Sequence, residues 1–176
     1  MGRSGYLWGF VGLGGDLWQE VNDTRYRDML LTGTFSRSID QKSRVAIPKR
    51  LREALGSARG GILYIAPSTD RSLAIYTEES FGQLAERLKR SSPTEQHVRA
   101  FTRLFFAAAQ QVEIDAQGRI RIPSELVELA ALEKEVILLG VQDHLELWSA
   151  ERWRTYLADK QARFDEIAEA AFGVPD

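Results

Sequence analysis

Apolar and polar positions alternate along Arg44-Val45-Ala46-Ile47 and again along Arg119-Ile120-Arg121-Ile122. A period of two predicts short strands, with Val45 and Ile47, or Ile120 and Ile122, on one buried face. Each is closed by a proline, Pro48 or Pro123, and followed by apolar residues at helical spacing. Proline lacks the N–H that a first helical residue would leave unpaired, so it is expected to open a short helix over 48–55 and over 123–130. A strand is expected before each alternating segment, over 33–39 and 108–114. Apolar runs over 62–66, 72–76, 135–140 and 144–148 predict four more. Thr77 and Ser149 then stand as N-caps for helices containing Phe81–Arg90 and Trp153–Ala171, and Pro93–Phe106 reads as one further helix.

The order of these elements occurs twice. Ile39-Asp40-Gln41-Lys42-Ser43-Arg44-Val45-Ala46-Ile47-Pro48 returns 75 positions later as Ile114-Asp115-Ala116-Gln117-Gly118-Arg119-Ile120-Arg121-Ile122-Pro123. Ile62–Ile65 is answered by Val136–Leu139, and Leu73–Tyr76 by Leu145–Trp148. A repeat of this length is one supersecondary unit used twice. The expected class is α+β, with two tandem β-β-α-β-β-α units of mostly antiparallel strands. The units are placed at 29–92 and 108–157, joined by a linking helix over 93–107 and followed by an acidic helical tail over 158–176. Residues 1–28 belong to neither repeat and lack a sustained period; a poorly packed extension is expected there, with Met29 as the natural start.

Both units keep Asp-x-x-x-Arg inside the predicted turn. Asp at the first turn position accepts hydrogen bonds from backbone N–H groups two residues on, and Gly118 supplies the positive φ that a tight turn favours. Asp40, Asp115 and Gly118 are therefore read as structural parts of the hairpins. Arg44 is read differently, because Lys42 precedes it, Arg37 leads into the turn, and Lys49, Arg50 and Arg52 lie just beyond. Grouped cations suit phosphate oxygens, and a planar guanidinium also matches a guanine edge. Net charge is −2, which alone argues against a polyanionic partner, but its distribution argues the other way. Ser36–Arg59 holds seven bases against two acids, whereas Glu125 to the end holds twelve acids against five bases.

With both motifs in view, the chain from Met29 to about Trp153 resembles MraZ, a family of bacterial regulators with a swapped-hairpin, AbrB-like fold. The resemblance rests on the two Asp-x-x-x-Arg turns, the two Ile-Pro closures, Arg103-Leu104-Phe105-Phe106-Ala107 and Leu147-Trp148. Ser43 departs from the glycine usual before the first motif arginine. The likeness implies a pseudo-two-fold swapped-hairpin β-barrel with flanking helices. It implies sequence-specific binding of double-stranded DNA through Arg44 and Arg119, with Lys42, Arg37, Lys49, Arg50 and Arg121 as supporting bases. It further implies a homo-oligomeric ring on tandem promoter repeats of the division and cell-wall gene cluster, acting chiefly as a repressor. Cytoplasmic, nucleoid-associated localisation follows from that role.

Other classes fare less well. The chain has no cysteine, which removes disulfides and thiol nucleophiles, and its two histidines, His97 and His144, lack helical i, i+4 partners. No metal and no cofactor are expected. Gly12-x-Gly14-Gly15 lacks a preceding strand and a following Lys-Ser/Thr, so it is not a phosphate loop. No apolar run reaches the roughly 18–20 residues of a membrane span. One competing reading is a hydrolase or transferase using Asp40 and Asp115 as a carboxylate pair, but each aspartate already has an arginine beside it and no further acid, His or Cys supplements them. Another is an interaction scaffold built on the weakly amphipathic acidic tail.

Overall fold

The computed structural model describes residues 30–56, 61–90 and 95–173. The expected extension over 1–28, Met29 and Arg59 lie outside them. The first unit runs β1 (Leu31–Ser38), β2 (Arg44–Ala46), α1 (Lys49–Ala54), β3 (Ile62–Pro67), a 3-10 turn (Thr69–Arg71), β4 (Leu73–Thr77) and α2 (Glu78–Arg90). After α3 (Gln96–Ala108), the second runs β5 (Gln110–Glu113), β6 (Arg119–Arg121), α4 (Ser124–Leu129), β7 (Glu135–Gln142), β8 (His144–Ser149) and α5 (Ala150–Gln161), with α6 (Phe164–Phe172) beyond it.

The strands of the two units are interleaved. A six-stranded antiparallel sheet has the order β1-β7-β8-β4-β3-β5, and β2 pairs with β6 in a separate two-stranded ribbon. Thus β1 of the first unit lies on β7 of the second, from Leu31 opposite Gln142 to Ser38 opposite Glu135. In return β5 lies on β3, from Ile62 opposite Glu113 to Ile65 opposite Gln110. A closed barrel is not formed by this pairing. Because β2 and β6 spend their backbone groups on one another, β1 and β5 remain the edges of an open sheet.

One core serves both units. Val45, Ile120, Ile47 and Ile122 from the ribbon segments meet Leu51 of α1, Leu126 of α4 and Leu63, Ile75, Leu138 and Leu147 of the sheet, all essentially without exposure. At roughly 2 kcal/mol per fully buried aliphatic side chain, this cluster is the main source of stability. The far side of the sheet is also covered, which explains the unbroken apolar run Val136-Ile137-Leu138-Leu139. Val136 and Leu138 enter the shared core, while Ile137 and Leu139 pack with Trp148 under Trp153 and Tyr156 of α5. On the same sheet Tyr64 stacks on Phe81 of α2 at 4.5 Å, and Phe81 meets Phe105 and Phe106 of α3 at 5.9 and 5.5 Å.

Three local expectations shift. Pro48 and Pro123 are N-caps and not first helical residues: their ψ angles of 142° and 143° are extended, and their carbonyls accept from the Arg52 and Val127 N–H groups at 3.0 Å. Thr77 caps α2 reciprocally with Ser80, Ser80 N–H donating to Thr77 Oγ1 at 3.1 Å and Thr77 N–H to Ser80 Oγ at 3.0 Å. Ser149 stands at the N-cap of α5 but makes no side-chain capping bond. The single helix expected through Ala171 is two, because Arg163 adopts φ −120°, ψ 23° between α5 and α6.

Leu126→Ala should lower stability by about 2–5 kcal/mol, since its cavity would open at the junction of ribbon and sheet where collapse is difficult. Chemical denaturation followed by tryptophan fluorescence measures this directly.

Candidate nucleic-acid interface

Each hairpin turn is built on one aspartate. Asp40 Oδ1 accepts the N–H groups of Lys42 at 2.9 Å and Arg44 at 3.0 Å, while Oδ2 accepts Arg44 Nε and Nη2, both at 2.7 Å. Asp115 repeats the arrangement: Oδ1 accepts Gln117 and Arg119 N–H at 2.9 Å, and Oδ2 accepts Arg119 Nε at 2.8 Å and Nη2 at 2.7 Å. The carboxylate fixes the bend with one oxygen and orients the guanidinium with the other. Hydrogen bonds from the Arg44 side chain hold Asp40 down at about 2 against an ordinary 3.8, and Arg119 lowers Asp115 in the same way.

The pairing of β2 with β6 brings the two turns together. Arg44 lies opposite Arg121, Val45 opposite Ile120 and Ala46 opposite Arg119. Beyond the ribbon, Ile47 N–H donates to Gly118 O at 2.9 Å and Ile122 N–H donates to Ser43 O at 2.7 Å, so each turn is sewn to the return strand of the other. Cross-strand partners share a face. Val45 and Ile120 therefore point into the core, and Arg44, Arg119 and Arg121 stand together on the outer face with Ala46. Arg119 Nη1 also reaches Asp40 Oδ2 at 4.0 Å, joining the two clasps electrostatically.

The remaining expected bases divide by position. Lys42 is exposed on the first turn, and neither it nor Arg121 forms an ion pair with a described residue. Lys49 and Arg50 are exposed on α1, Lys49 facing Glu53 at 3.6 Å and Arg50 reaching Thr32 Oγ1 at 3.4 Å. Arg37 folds back along β1, its guanidinium 5.7 Å from the Phe35 ring centre and donating to Ser36 O at 2.7 Å. The histidines stand apart from the clasps in their contacts: His97 is exposed beside Glu95 at 3.2 Å, and His144 is held between Asp143 at 2.7 Å and Glu146 at 3.6 Å. Among the described residues no group of His, Cys, Asp or Glu could hold a metal ion.

Arg52 has a role that composition conceals. Its Nε donates to Ile47 O at 3.2 Å, and its guanidinium covers the α-carbon of Gly118, where a Cβ would fall 2.6 Å from Cζ. Gly118 thus meets two demands, a φ of +76° and this close approach. The equivalent Ser43 also adopts positive φ, +56°. The signal available in the sequence was the mismatch at aligned positions 52 and 127, arginine against valine, beside glycine against serine.

Two findings from known proteins bear on this surface. The family model described as "MraZ protein, putative antitoxin-like" matches the chain twice, over residues 30–104 and 105–174. The chain is 40% identical over 139 residues to the transcriptional regulator MraZ of Alkaliphilus oremlandii, covering 79% of this chain and 94% of that protein. It is 41% identical over 140 residues to the transcriptional regulator MraZ of Caldanaerobacter subterraneus subsp. tengcongensis, covering 80% and 95%.

Two outcomes test the hairpin geometry. Ser43→Gly should be neutral to about 1 kcal/mol stabilising, because glycine relieves the positive φ while adding freedom to the unfolded chain. Gly118→Ser should cost about 1 kcal/mol by displacing Arg52 from Ile47 O, and paired thermal melts should separate the two. For Asp40 the folded pKa lies below the unfolded one, so its stabilising contribution is complete above about pH 4 and is lost as pH falls through about 2. Carbon-13 NMR of the carboxylate should show that low midpoint, and Asp40→Asn should remove this part of the acid limb of a stability curve.

Proposed function

The chain belongs to the MraZ family, and from that premise we propose that it is a sequence-specific DNA-binding transcriptional regulator that reads DNA with the outer face of the β2–β6 ribbon. The observation that carries the proposal is the convergence of Arg44, Arg119 and Arg121 on one solvent-facing surface. A two-stranded antiparallel ribbon fits the major groove, and arginine is the side chain best matched to the acceptor edge of guanine. Asp40 and Asp115 hold their arginines through Nε and Nη2, which fixes the direction of each guanidinium, and Arg119 Nη1 also lies 4.0 Å from Asp40 Oδ2. Such preorientation reduces the conformational entropy that binding removes. Lys42, Lys49 and Arg50 supply phosphate contacts on either side, with Arg37 a further base near the start of the turn.

The strand exchange between units is read as the swapped-hairpin arrangement, with residues 29–92 and 108–157 as its two halves. One ribbon covers few base pairs, so affinity comes from several copies, in a ring, engaging tandem promoter repeats of the division and cell-wall cluster. Occupied repeats exclude polymerase, and repression is the resulting sign. The site of action is the nucleoid within the cytoplasm. Among the described residues, no helix is long and apolar enough to cross a membrane.

The family is one of transcriptional regulators and not of enzymes. The clasp geometry agrees, because the Asp40 and Asp115 carboxylates are each engaged by an arginine and held ionised well below neutral pH. Neither is placed to shuttle a proton.

Gel shift of the pure protein against the region upstream of its own gene, with non-cognate DNA as competitor, tests the function; equal retention of both DNAs would remove it. Lys42→Ala with Arg44→Ala should weaken binding more than Arg119→Ala with Arg121→Ala, at about 1–3 kcal/mol for each DNA-facing side chain removed. The first pair belongs to a stretch of sequence that continues into Lys49 and Arg50, whereas Arg121 shares its cleft with Glu113 and Glu125. Anisotropy titrations at two salt concentrations should also show the larger fall in salt slope for the first pair, about 0.9 for each phosphate no longer neutralised.

A further inference from the structure

In the aligned repeats, Lys42, Arg44 and Ala46 correspond to Gln117, Arg119 and Arg121. At these positions each repeat carries two cations, since the loss of the lysine is offset by the gain of an arginine. The ribbon redistributes them. Strand pairing sets Arg121 opposite Arg44 and Arg119 opposite Ala46. Because β2 and β6 run antiparallel, the arginine gained by the second repeat stands at the turn of the first, where Arg121 and Ser43 line one cleft. Lys42, Arg44 and Arg121 thus gather at one end of the ribbon, and Arg119 is left with Gln117 and Ala46 at the other.

The register also fixes how close the paired arginines come. The bonds from Ile122 N–H to Ser43 O and from Ile47 N–H to Gly118 O mark hydrogen-bonded pairs two positions to either side of Val45–Ile120. Hydrogen-bonded and non-hydrogen-bonded pairs alternate along an antiparallel ladder, so Arg44–Arg121 is of the second kind, with Cα atoms only about 4.5 Å apart. Like charges placed directly opposite destabilise a ribbon. Arg44 is relieved by Asp40 at 2.7 Å, and Arg119 by Asp115 at 2.7 Å and Asp40 at 4.0 Å. These two arginines and two aspartates cancel, so the net charge of the outer face is that of Lys42 and Arg121. Arg121 is exposed and makes no hydrogen bond or ion pair with a described residue, although Glu113 and Glu125 line its cleft.

We propose that Arg121 is a specificity-determining residue of the DNA-reading face, acting across the ribbon with Lys42 and Arg44 so that recognition is concentrated at the first-turn end. The inference rests on the DNA-binding reading above, for which it names a residue that reads sequence. A guanidinium recognises guanine through two parallel N–H donors aimed at O6 and N7. Arg44 and Arg119 already give their Nε–Nη2 edges to aspartates, whereas Arg121 can present either edge. Its place on the paired face of the ribbon directs it to base edges, and Lys42 on the turn is set for the phosphates beside them. The unrelieved like-charge pair with Arg44 suits a surface completed by an electron-rich partner.

The charge can be moved without being changed, because Ala46 and Arg121 are equivalent positions and both are exposed. The readout is fluorescence anisotropy on a fragment from upstream of the protein's own gene, with non-cognate DNA alongside. Arg121→Ala should weaken cognate binding about 10- to 100-fold. Its thermal midpoint should hold or rise, since a like-charge pair is removed. Undiminished affinity would overturn the proposal. Arg121→Ala combined with Ala46→Arg keeps the net charge but carries the arginine to the other end, and it should not recover the loss. Arg121→Lys should also fail to recover it, because an ammonium lacks the planar fork. Wild-type affinity in the relocated variant would show that only net charge matters, and in the lysine variant that the contact is to phosphate; either result overturns the proposal. Across single base-pair substitutions of the fragment, Arg121→Ala should lose discrimination at one position and keep it elsewhere, and a uniform loss would count against it. Equal binding of both DNAs by the wild type would instead remove the DNA-binding reading beneath it.

Discussion

Two backbone hydrogen bonds that cross between the repeats, Ile47 to Gly118 and Ile122 to Ser43, set the geometry on which the rest of the molecule depends. They continue the β2–β6 ladder past its three paired positions and lock each turn to the other's return strand. Without that coupling the two Asp-x-x-x-Arg turns would be separate loops with separate small charges. With it, Val45 and Ile120 close the core from below, and three arginines share a single outer face. Burial on one face and presentation on the other are therefore the same structural event, since the pleat sends alternate side chains to opposite sides.

The aspartates make the presentation durable. Each accepts two backbone N–H groups and two N–H groups of a single guanidinium, so neither the bend nor the direction of its arginine depends on contacts made later. A clasped pair is close to electrically neutral, however. On the proposed reading, the long-range attraction for DNA therefore falls mainly to cations outside the clasps, such as Lys42 and Arg121. That reading divides the labour, with clasped arginines giving direction and unclasped cations giving attraction. The covering of Gly118 by Arg52 shows that a base in a basic segment can instead be spent on structure.

Both faces of the six-stranded sheet are occupied, one by the ribbon, α1 and α4 and the other by aromatic contacts from α2, α3 and α5. This leaves the hairpin face and the helical face on different parts of the molecule. Charge follows the same separation, basic at the hairpins and acidic toward the end of the chain.

The sequence by itself determined the repeat, the antiparallel α+β class, the position of each strand and the two turns, because all of these depend on local alternation, turn chemistry and a motif stated twice. Asp40 and Asp115 were legible for the same reason, because the bonds that shape their turns are made within four residues, and Gly118 because such a turn needs a positive φ. The tertiary structure alone decided that β1 lies on β7 and β5 on β3, that the sheet stays open, and that Arg121 stands opposite Arg44. It also decided that Arg52 sits over Gly118, that Ser149 leaves its helix uncapped, and that the last helix breaks at Arg163. Those features join residues from different repeats or rest on backbone angles chosen under packing. Hydrophobic periodicity reports which face of a strand is buried, but it says nothing about which strand lies beside it.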